Sequence, residues 1–449
     1  MKNYLSLGMF LGCLAGTLSA QPSGMEVVSG KAEASAIHPN ALQIQASDRA
    51  IIQWDSFSIG AGELTKFILP DATSCILNRV TGSQMSELLG VLQSNGQVYL
   101  INPQGVLVGT DARIDTASFV ASTFDVFNED FLAKTELLFQ GNSEAKIVNL
   151  GTIATTVGDV VLLARHVENQ GQIEAPQGTV AIGAGTQVLL KPSDSNKIFI
   201  ETSIATTGAG VGIDHQGSIQ ALFVELQADG NPYSQAIRHN GRIDALGVAE
   251  QNGRVLLVAE GGRIDITGST RASAAEVVSE GADVAAYGEI SVHGHEIYAT
   301  QQALFDVSND QGGGLIRLGF EAQEEGTRAK GLVTGPEVQI HADAKVAGNG
   351  GKVLLWGSDA HVFQSQITAR GGSVRGDGGF VDISTRGLLM PEGIVDTSAV
   401  NGAIGTLLYD PTDISITTSA DANISTTYNA TTNTLTYNIL NPGATTTIN

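Results

Sequence analysis

Cysteine, aromatic side chains and charge are all scarce in this 449-residue chain. Of its two cysteines, Cys13 falls in the amino-terminal leader described below, so removal of the leader would leave Cys75 without a partner for an internal disulfide. Aromatic residues make up 5% and charged residues 16% of the sequence, which fits neither a helical protein nor a disordered chain. The 54 glycines, with many β-branched residues, favour short stacked strands instead.

Basic residues are also few. The chain carries 24 Lys and Arg against 46 Asp and Glu, which gives a net charge of −22 at pH 7. Phosphate binding requires a basic face, so we expect no nucleic-acid partner. The acidity opposes self-association of exposed sheet edges, and we expect a monomer. After residue 20, no apolar run is long enough to cross a bilayer.

Residues 1–20 have the features of a secretory signal peptide. One early charge, Lys2, precedes an apolar run that ends in small residues at Ala20, and the run is too short to span a membrane. We predict cleavage near Ala20. Cys13 leaves a lipoprotein leader open as an alternative, although residues 10–12 form a weak lipobox.

Repetition dominates the rest of the chain. Gly151 and Gly171 are twenty residues apart, Gly241 and Gly262 are twenty-one apart, and each glycine turn is followed by alternating apolar residues. This period predicts an all-β fold, a right-handed parallel β-helix (solenoid) with an amino-terminal cap and short extra-helical elements. A β-sandwich is the alternative, but it requires hairpin turns without a twenty-residue repeat. The predicted inward residues include the following: Val160, Leu162, Val255 and Leu257.

The period also predicts the length of the rod and its interruptions. Roughly 18 coils about 4.8 Å apart would give a rod on the order of 90 Å long. Residues 128–136 interrupt the pattern as a helical turn or an extra-helical loop, and the charged residues 321–330 read as a solvated insertion. After Asp413 the sequence is rich in Ser, Thr and Asn, which predicts a poorly capped end.

One strand and its turn are unusually well defined. The apolar residues 98–101 are followed by an Asn-Pro-Gln-Gly sequence at residues 102–105. Pro103 fixes its own φ and lacks an amide donor, while Gly105 can take a positive φ. We therefore predict that the strand ends at Asn102 and that a tight turn follows.

The sequences around this turn resemble a known family. Residues 54–60, 77–82, 119–123 and 149–153, in this order and together with the turn, resemble the secretion domain of two-partner-secretion exoproteins, the filamentous-haemagglutinin family. The likeness covers roughly residues 30–190 of the printed sequence. The turn of that family is usually Asn-Pro-Asn-Gly, and here Gln104 replaces the second Asn. The resemblance implies export through a cognate outer-membrane β-barrel transporter that recognises this domain.

The resemblance also implies a domain organisation and a function. Residues 21–230 would be the secretion domain, and residues 231–449 the start of an adhesin shaft. The protein would pass through the periplasm and end in the medium or on the outer-membrane surface, as an adhesin or haemagglutinin that binds a host or bacterial cell-surface receptor. Two alternatives are a haemolysin or contact-dependent toxin carrier, whose effector lies in further sequence, and a carbohydrate-active β-helix enzyme.

Candidate site residues follow from the turns. We expect Asn78 and Asn102 to bond backbone groups at coil corners, Arg79 to pair locally, and Pro103 and Gly105 to shape the turn. The resemblance adds that these turns form the surface which the transporter engages. The two roles are compatible.

Other motifs are weaker. The acids are scattered, and Asp244 and Asp265 fall at outward strand positions, so we expect no catalysis and no cofactor. His293 and His295 share a strand face, but no third ligand is evident, and we expect two exposed polar positions rather than a metal site. An integrin-type tripeptide lies in a glycine-rich loop, as a low-ranked receptor motif made of Arg375, Gly376 and Asp377.

Overall fold

The computed structural model describes residues 21–133, 136–192, 198–202, 211–228, 235–247, 252–274, 287–319, 329–411, 424–429 and 434–439. Within these ranges the chain is almost entirely β-strand. Thirty-seven strands join one continuous sheet, in which nearly every pairing is parallel and links one coil to the next. The predicted all-β parallel β-helix is therefore confirmed. The predicted signal peptide, residues 1–20, lies outside the described residues.

The continuous sheet has three faces, which we call S1, S2 and S3. S1 is built from β3 (Ala41–Ala46), β5 (Leu64–Ile68), β8 (Val91–Ser94), β11 (Arg113–Thr116), β15 (Thr152–Thr155), the first parts of β18 (Gln172–Ala184) and β22 (Ser218–Ala228), β24 (Arg242–Leu246), β26 (Ser269–Ser273), β28 (Leu304–Asp306), β31 (Gln339–His341), β34 (Gln366–Thr368) and β37 (Ile394–Asp396).

The other two faces run beside S1. S2 contains β4 (Ala50–Trp54), β6 (Cys75–Val80), β9 (Gln97–Ile101), β12 (Ser118–Ser122), β16 (Val160–Ala164), the second parts of β18 and β22, the first parts of β25 (Arg254–Ile266) and β27 (Glu289–Ala299), β29 (Leu315–Leu318), β32 (Lys352–Trp356), β35 (Phe380–Ser384) and β38 (Thr406–Asp410). S3 contains β7 (Ser86–Leu88), β10 (Val106–Val108), β14 (Lys146–Asn149), β17 (His166–Asn169), β21 (Ile213–His215), β23 (Gln235–His239), the second parts of β25 and β27, β30 (Gly331–Thr334), β33 (Ala360–Phe363) and β36 (Leu388–Pro391).

Antiparallel strands stand at both ends of the parallel stack. At the amino-terminal end, β1 (Glu26–Ser29) pairs with β4 and β2 (Ala32–His38) pairs with β3. At the other end, β39 (Ile424–Asn429) and β40 (Thr434–Ile439) form a hairpin that pairs with β38. The first pair is the predicted cap, since an antiparallel strand closes the hydrogen-bonding edge of the first coil.

One excursion from the coils packs on the outside of S2. It includes α1 (Asn128–Ala133) and β13 (Leu137–Gln140), and β13 forms a three-stranded antiparallel sheet with β19 (Gln187–Pro192) and β20 (Ile198–Thr202). The sequence interruption at residues 128–136 is thus a short helix in an extra-helical element, as predicted. The predicted insertion at 321–330 lies largely outside the described residues, as do residues 412–423. In the described part of the carboxy-terminal end, β40 pairs with β38 and closes the edge of the last coil, so the expectation of a poorly capped end was wrong there.

The register of the coils agrees with the predicted inward set. Val160, Leu162, Val255 and Leu257 are all at most 1% exposed, and they belong to one apolar cluster that runs from Ile44 to Tyr409. Alternate residues of each strand enter this cluster, because successive side chains of a strand point to opposite faces. The interior of the rod is therefore one continuous apolar core.

The predicted number of coils was wrong. Among the described residues, S1 contains thirteen strands between Ala41 and Asp396, not roughly 18. At about 4.8 Å per coil, the rod is about 60 Å long. The period of twenty holds between β15 and β18, but loops and excursions lengthen most other coils.

Strand pairing continues from β22 to β24 and β25 across residue 230, and the domain boundary there stays a prediction. In the described part of the chain, no helix has the length and apolarity to span a membrane.

Candidate functional site

The Asn-Pro-Gln-Gly turn connects S2 to S3 and is held from inside. Asn102 is fully buried; its Nδ2 donates to the carbonyl of Gln84 at 3.0 Å and to Oγ of Ser86 at 2.9 Å. Its Oδ1 accepts the backbone N–H of Gln104 at 2.9 Å, and its carbonyl accepts that of Gly105 at 3.0 Å. Asn102 therefore supplies the Asx-type bond of this turn, so the exchange of Asn for Gln at 104 leaves that bond in place.

The same turn has a buried half and an exposed half. Gly105 is buried at a φ of +106°, and a Cβ placed on it would lie 2.9 Å from the carbonyl oxygen of Lys146 in β14. Pro103 and Gln104 are exposed. The carbonyl of Pro103 accepts a 2.6 Å hydrogen bond from Oγ of Ser143, shortly before the excursion returns to S3. Only the proline and the glutamine present side chains to a partner.

Asn78 lies inside the core, not at a coil corner. It is on β6, aligned between Ile52 of β4 and Leu100 of β9, and it is fully buried. Its Oδ1 accepts the indole N–H of Trp54 at 3.0 Å, and its Nδ2 donates to the carbonyl of Tyr99 at 3.3 Å. The expectation of a corner position was wrong, because alternation along β6 directs this side chain inward.

Arg79, the next residue, points outward and reaches far along the sequence. Its Nε donates to Oδ1 of Asp125 at 2.9 Å, its Nη1 to Oδ1 of Asn128 at 3.0 Å and its Nη2 to the carbonyl of Val126 at 2.9 Å. The Arg79 side chain is only 12% exposed. The expected local pairing was wrong: all three partners lie 46 to 49 residues later, in the segment that begins the excursion.

A second apolar cluster lies under the excursion, on the outward side of S2. It joins the outward residues of six S2 strands to the excursion through these members: Ile51, Cys75, Leu77, Ile101, Val120, Phe124, Val126, Phe131, Leu137, Phe139, Val161, Leu163, Ala181, Val188 and Leu190. Because this side of S2 is apolar, the excursion is a cover that keeps it from water.

A second arginine fastens α1. Arg49 has a φ of +55°, donates to the carbonyl of Phe131 and places its guanidinium 5.4 Å from the centre of the Phe131 ring. Tyr99 packs edge-on against the same ring at 5.3 Å, and burial raises the pKa of the Tyr99 phenol. Two arginines and one aromatic contact therefore fix this six-residue helix against the coils.

The two predicted motifs therefore converge on one element. Arg79 holds the start of the excursion at Asp125, while the 102–105 turn contacts its end through Ser143 and Lys146. The sequence pointed to both motifs but not to their common target. It also missed Trp54, Tyr99 and Phe131, since nothing local distinguishes these aromatics from ordinary core residues.

Replacing Arg79 with methionine should weaken the excursion. Methionine keeps an apolar stem but loses three hydrogen bonds of a charged donor, and we expect the free energy of unfolding to fall by about 1.5–3 kcal/mol. Urea denaturation of the secreted chain measures this. The matched control is Arg113→Met, whose side chain is 56% exposed and 3.7 Å from Asp115, and which should change stability by less than about 0.5 kcal/mol. Equal losses at both positions would contradict the anchoring role of Arg79.

The integrin-type tripeptide is part of a stacked loop rather than a protruding one. Gly376 has a φ of +125°, and a Cβ on it would lie 1.7 Å from the carbonyl oxygen of Gly348 in the preceding coil. Arg375 and Asp377 are exposed, but Oδ1 of Asp377 already accepts the backbone N–H of Ala403 at 2.8 Å. The loop geometry accounts for both Gly376 and Asp377 without a receptor, and a recognition role stays a prediction.

The two histidines of the possible metal pair differ in environment. His293 is buried at 6% exposure and His295 is half-buried, so the expectation of two exposed positions was wrong for His293. The described residues contain no group of three or more His, Cys, Asp or Glu side chains that could hold a metal ion. Asp244, predicted to point outward, does pair with Arg242 on the outer surface, yet is only 9% exposed because neighbouring coils flank it.

Comparison with known proteins places this arrangement in context. The TPS secretion domain family matches residues 19–258. The heme/hemopexin-binding protein of Haemophilus influenzae strain Rd is 32% identical over 252 residues, and a second H. influenzae heme/hemopexin-binding protein is 30% identical over 271 residues. These alignments cover 53% and 55% of this chain but 27% and 28% of the relatives, so they span about a quarter of the relatives' length.

A solved structure extends the likeness further along the chain. The crystal structure of the HMW1 secretion domain from Haemophilus influenzae superposes with a TM-score of 0.66 at 29% sequence identity. The match covers 86% of this chain and 100% of that one. The β-helix, including coils beyond residue 258, is therefore similar to that of a known secretion domain.

Proposed function

Because the chain belongs to the two-partner-secretion (TPS) family through its secretion domain, we propose that its amino-terminal coils direct it to a cognate outer-membrane transporter. The rest of the rod acts outside the cell as an adhesin or haemagglutinin-like surface. A signal peptide at residues 1–20 takes the chain into the periplasm, and the transporter carries it to the medium or the outer-membrane surface. A receptor on a host or bacterial cell binds the rod, which acts as a monomer.

One observation supports the location of the recognition surface. The 102–105 turn and Arg79 anchor opposite ends of a single excursion, while the turn leaves Pro103 and Gln104 exposed. The buried part of the turn fixes the positions of these two exposed side chains. A partner can therefore bind them without ordering the turn first, which lowers the entropy cost of binding. Folding and recognition are thus assigned to different residues of one turn.

The chain acts by binding rather than by catalysis in this proposal. The pairing of outward carboxylates with arginines of adjacent coils supports this proposal. Nε of Arg238 donates to Asp214 at 2.9 Å, and Nη1 of Arg317 donates to Glu289 at 2.6 Å. Carboxylates held this way are poorly placed for acid–base work on a sugar. A toxin carrier differs from an adhesin only in sequence beyond this rod, and a polysaccharide-cleaving enzyme would reveal itself by turnover of acidic polysaccharides.

Heme or hemopexin capture is a second candidate, favoured by the names of the two relatives. The alignments leave nearly three quarters of each relative uncovered, so most of the sequence that could bind heme there has no counterpart in them. Titration of the secreted chain with heme, followed by the Soret band, separates this candidate from adhesion. Saturation near one equivalent supports it; attachment to cells with no heme binding supports the adhesin.

The transporter proposal is tested by comparing periplasmic and extracellular amounts. With the cognate transporter, the wild type should appear in the medium; secretion without any transporter would overturn the proposal. Changing Pro103 and Gln104 to alanine should lower the free energy of unfolding by no more than about 1 kcal/mol, because both side chains are exposed and the main loss is the φ restriction of Pro103. If the turn contributes about 1 kcal/mol to recognition, the extracellular amount should fall about fivefold.

Asn102→Asp serves as the comparison variant. Aspartate cannot donate to the carbonyl of Gln84 or to Ser86, so this change should lower both stability and secretion. Alanines at 103 and 104 that leave secretion at the wild-type level would show that the exposed half of the turn is not read by the transporter.

A further inference from the structure

A column of buried polar side chains runs along one corner of the rod, where strands of S3 end. Asn149 of β14, Asn169 of β17, His215 of β21 and His239 of β23 are aligned by successive parallel pairings. All four are at most 1% exposed. The column therefore consists of amides in its first two coils and of imidazoles in the next two, inside a mainly apolar core.

Hydrogen bonds connect the members in order. Nδ2 of Asn149 donates to Oδ1 of Asn169 at 2.8 Å, and Nδ2 of Asn169 lies 3.1 Å from Nδ1 of His215. Nε2 of His215 lies 3.2 Å from the carbonyl of Arg242, so with Nδ1 accepting from the asparagine this ring is neutral with its proton on Nε2. The contacts of His215 are thus satisfied by one uncharged tautomer.

His239 continues the column with a less complete set of contacts. Its ring stacks on that of His215, with centroids 5.0 Å apart and planes 9° from parallel. Its Nε2 lies 3.1 Å from Oγ1 of Thr270, while Nδ1 has no well-formed hydrogen bond. The backbone of Ser269 favours a protonated ring, but less than burial and the neighbouring His215 ring oppose one.

The charged groups near the two rings offset a buried cation only in part: Asp214 favours protonation of His215, but less than burial opposes it. Asp214, on the same strand as His215, points outward and is paired with Arg238 of the next coil. Arg242 contributes only its carbonyl to the column, since its guanidinium pairs with Asp244. On the faces packed against the rings, the contacts are with Asn169, the Arg242 backbone and Thr270.

We propose that His215 and His239 form an acid-sensitive joint in the rod: protonation places two stacked cations in the core and opens the coils of β21 to β24, while the asparagine coils before them stay closed. Neutral amides do not titrate, so the coils of β14 and β17 keep their part of the column in acid. The joint spans residue 230, the predicted end of the secretion domain, and lies within residues 19–258, which match the secretion domain family. This inference concerns the fold and stands whether or not the adhesin proposal holds.

Burial supports the direction of the effect. It lowers the pKa of His215 to about 4, and burial together with the neighbouring His215 ring lowers the pKa of His239 well below its usual value. The folded state then binds fewer protons than the unfolded state, whose histidines titrate near 6.5. Stability from these rings is present above about pH 6.5 and is lost as the pH falls toward 4. For His215 alone the folded-to-unfolded ratio drops on the order of a hundredfold.

Hydrogen exchange of the full secreted chain tests the joint without any substitution. Amide protection, normalised for the intrinsic exchange rate, should fall in residues 213–246 between pH 7.5 and 4.5. It should not fall in residues 146–169, where burial raises the pKa of Asp159 to about 6 and acid therefore adds stability. Equal loss in both segments, or loss elsewhere first, overturns the proposal. His361, also buried with a pKa of about 4, adds acid sensitivity near the far end, and peptide resolution separates the two regions.

The double variant His215→Asn/His239→Asn provides the second test, since it continues the asparagine column. Its urea midpoint should fall less between pH 7.5 and 4.5 than the wild-type midpoint does, and the remaining fall should come from His361. His166→Asn is the control, because this half-buried ring, bonded to the carbonyl of Val211, lies outside the column. If the double variant does not fold, the wild-type exchange result decides; if it folds and keeps the wild-type acid response, the histidines are not the cause.

Discussion

Gly105→Val is expected to destabilise the amino-terminal coils and to abolish secretion. A valine at a φ of +106° is strained by about 1–3 kcal/mol. Its Cβ would also lie 2.9 Å from the carbonyl oxygen of Lys146, which pairs in β14 with the next coil. Backbone must move to relieve this contact, so we expect the free energy of unfolding to fall by more than about 3 kcal/mol. Urea denaturation and the extracellular fraction measure the two effects.

The control for this variant is Gly62→Val. Gly62 also has a positive φ, +76°, but a Cβ there would meet no atom within 4 Å. The free energy of unfolding of Gly62→Val should fall by only about 1–2 kcal/mol, the strain of a valine at a positive φ, and the variant should still be secreted. If Gly105→Val is as stable as Gly62→Val, the packing of the turn against β14 is not what fixes the glycine.

Leu257→Ala is expected to cost about 3–5 kcal/mol of stability. Leu257 is fully buried on β25 and is aligned with Leu226 in the coil before and Val292 in the coil after. Both neighbours are fixed by backbone ladders, so the cavity cannot collapse and the loss falls in the upper part of the range for such substitutions. The urea midpoint of the secreted chain gives the value.

The matched control lies one residue earlier on the same strand. Leu256 points outward, is half-buried, and is aligned with Glu225 and Ser291. Its truncation to alanine should cost about 1 kcal/mol or less, because part of its surface is already in water. The reverse order of the two losses would mean that the register of β25 is shifted by one residue, which exchanges the two faces.

Much of the fold could be predicted because its signals are local. A glycine turn and alternating apolar residues, as at Gly151 and Gly171, specify one strand and one corner, and repetition specifies stacking. The inward residues followed from the same alternation. The number of coils did not, because the sequence does not show how many residues a loop spends outside the stack.

The candidate site was predictable only in part. The turn at Asn102 to Gly105 was recognisable, since proline and positive-φ glycine impose it on the chain. That Asn102 supports the turn from inside while Pro103 and Gln104 face water depends on the coil below it, which provides Gln84 and Ser86. Asn78 was placed at a corner because an asparagine usually marks one, but its strand continues through it.

The sequence by itself determined the class of fold, the direction of alternation and the existence of the turn, because each depends on residues a few positions apart. Only the tertiary structure decided that Arg79 fastens a segment 46 residues later, that the turn at 102–105 contacts the other end of that segment, and that His215 stacks on His239. Such contacts form between coils. Residues far apart in the chain become neighbours about 4.8 Å apart once the solenoid closes, and no local pattern records which excursion will cover which face.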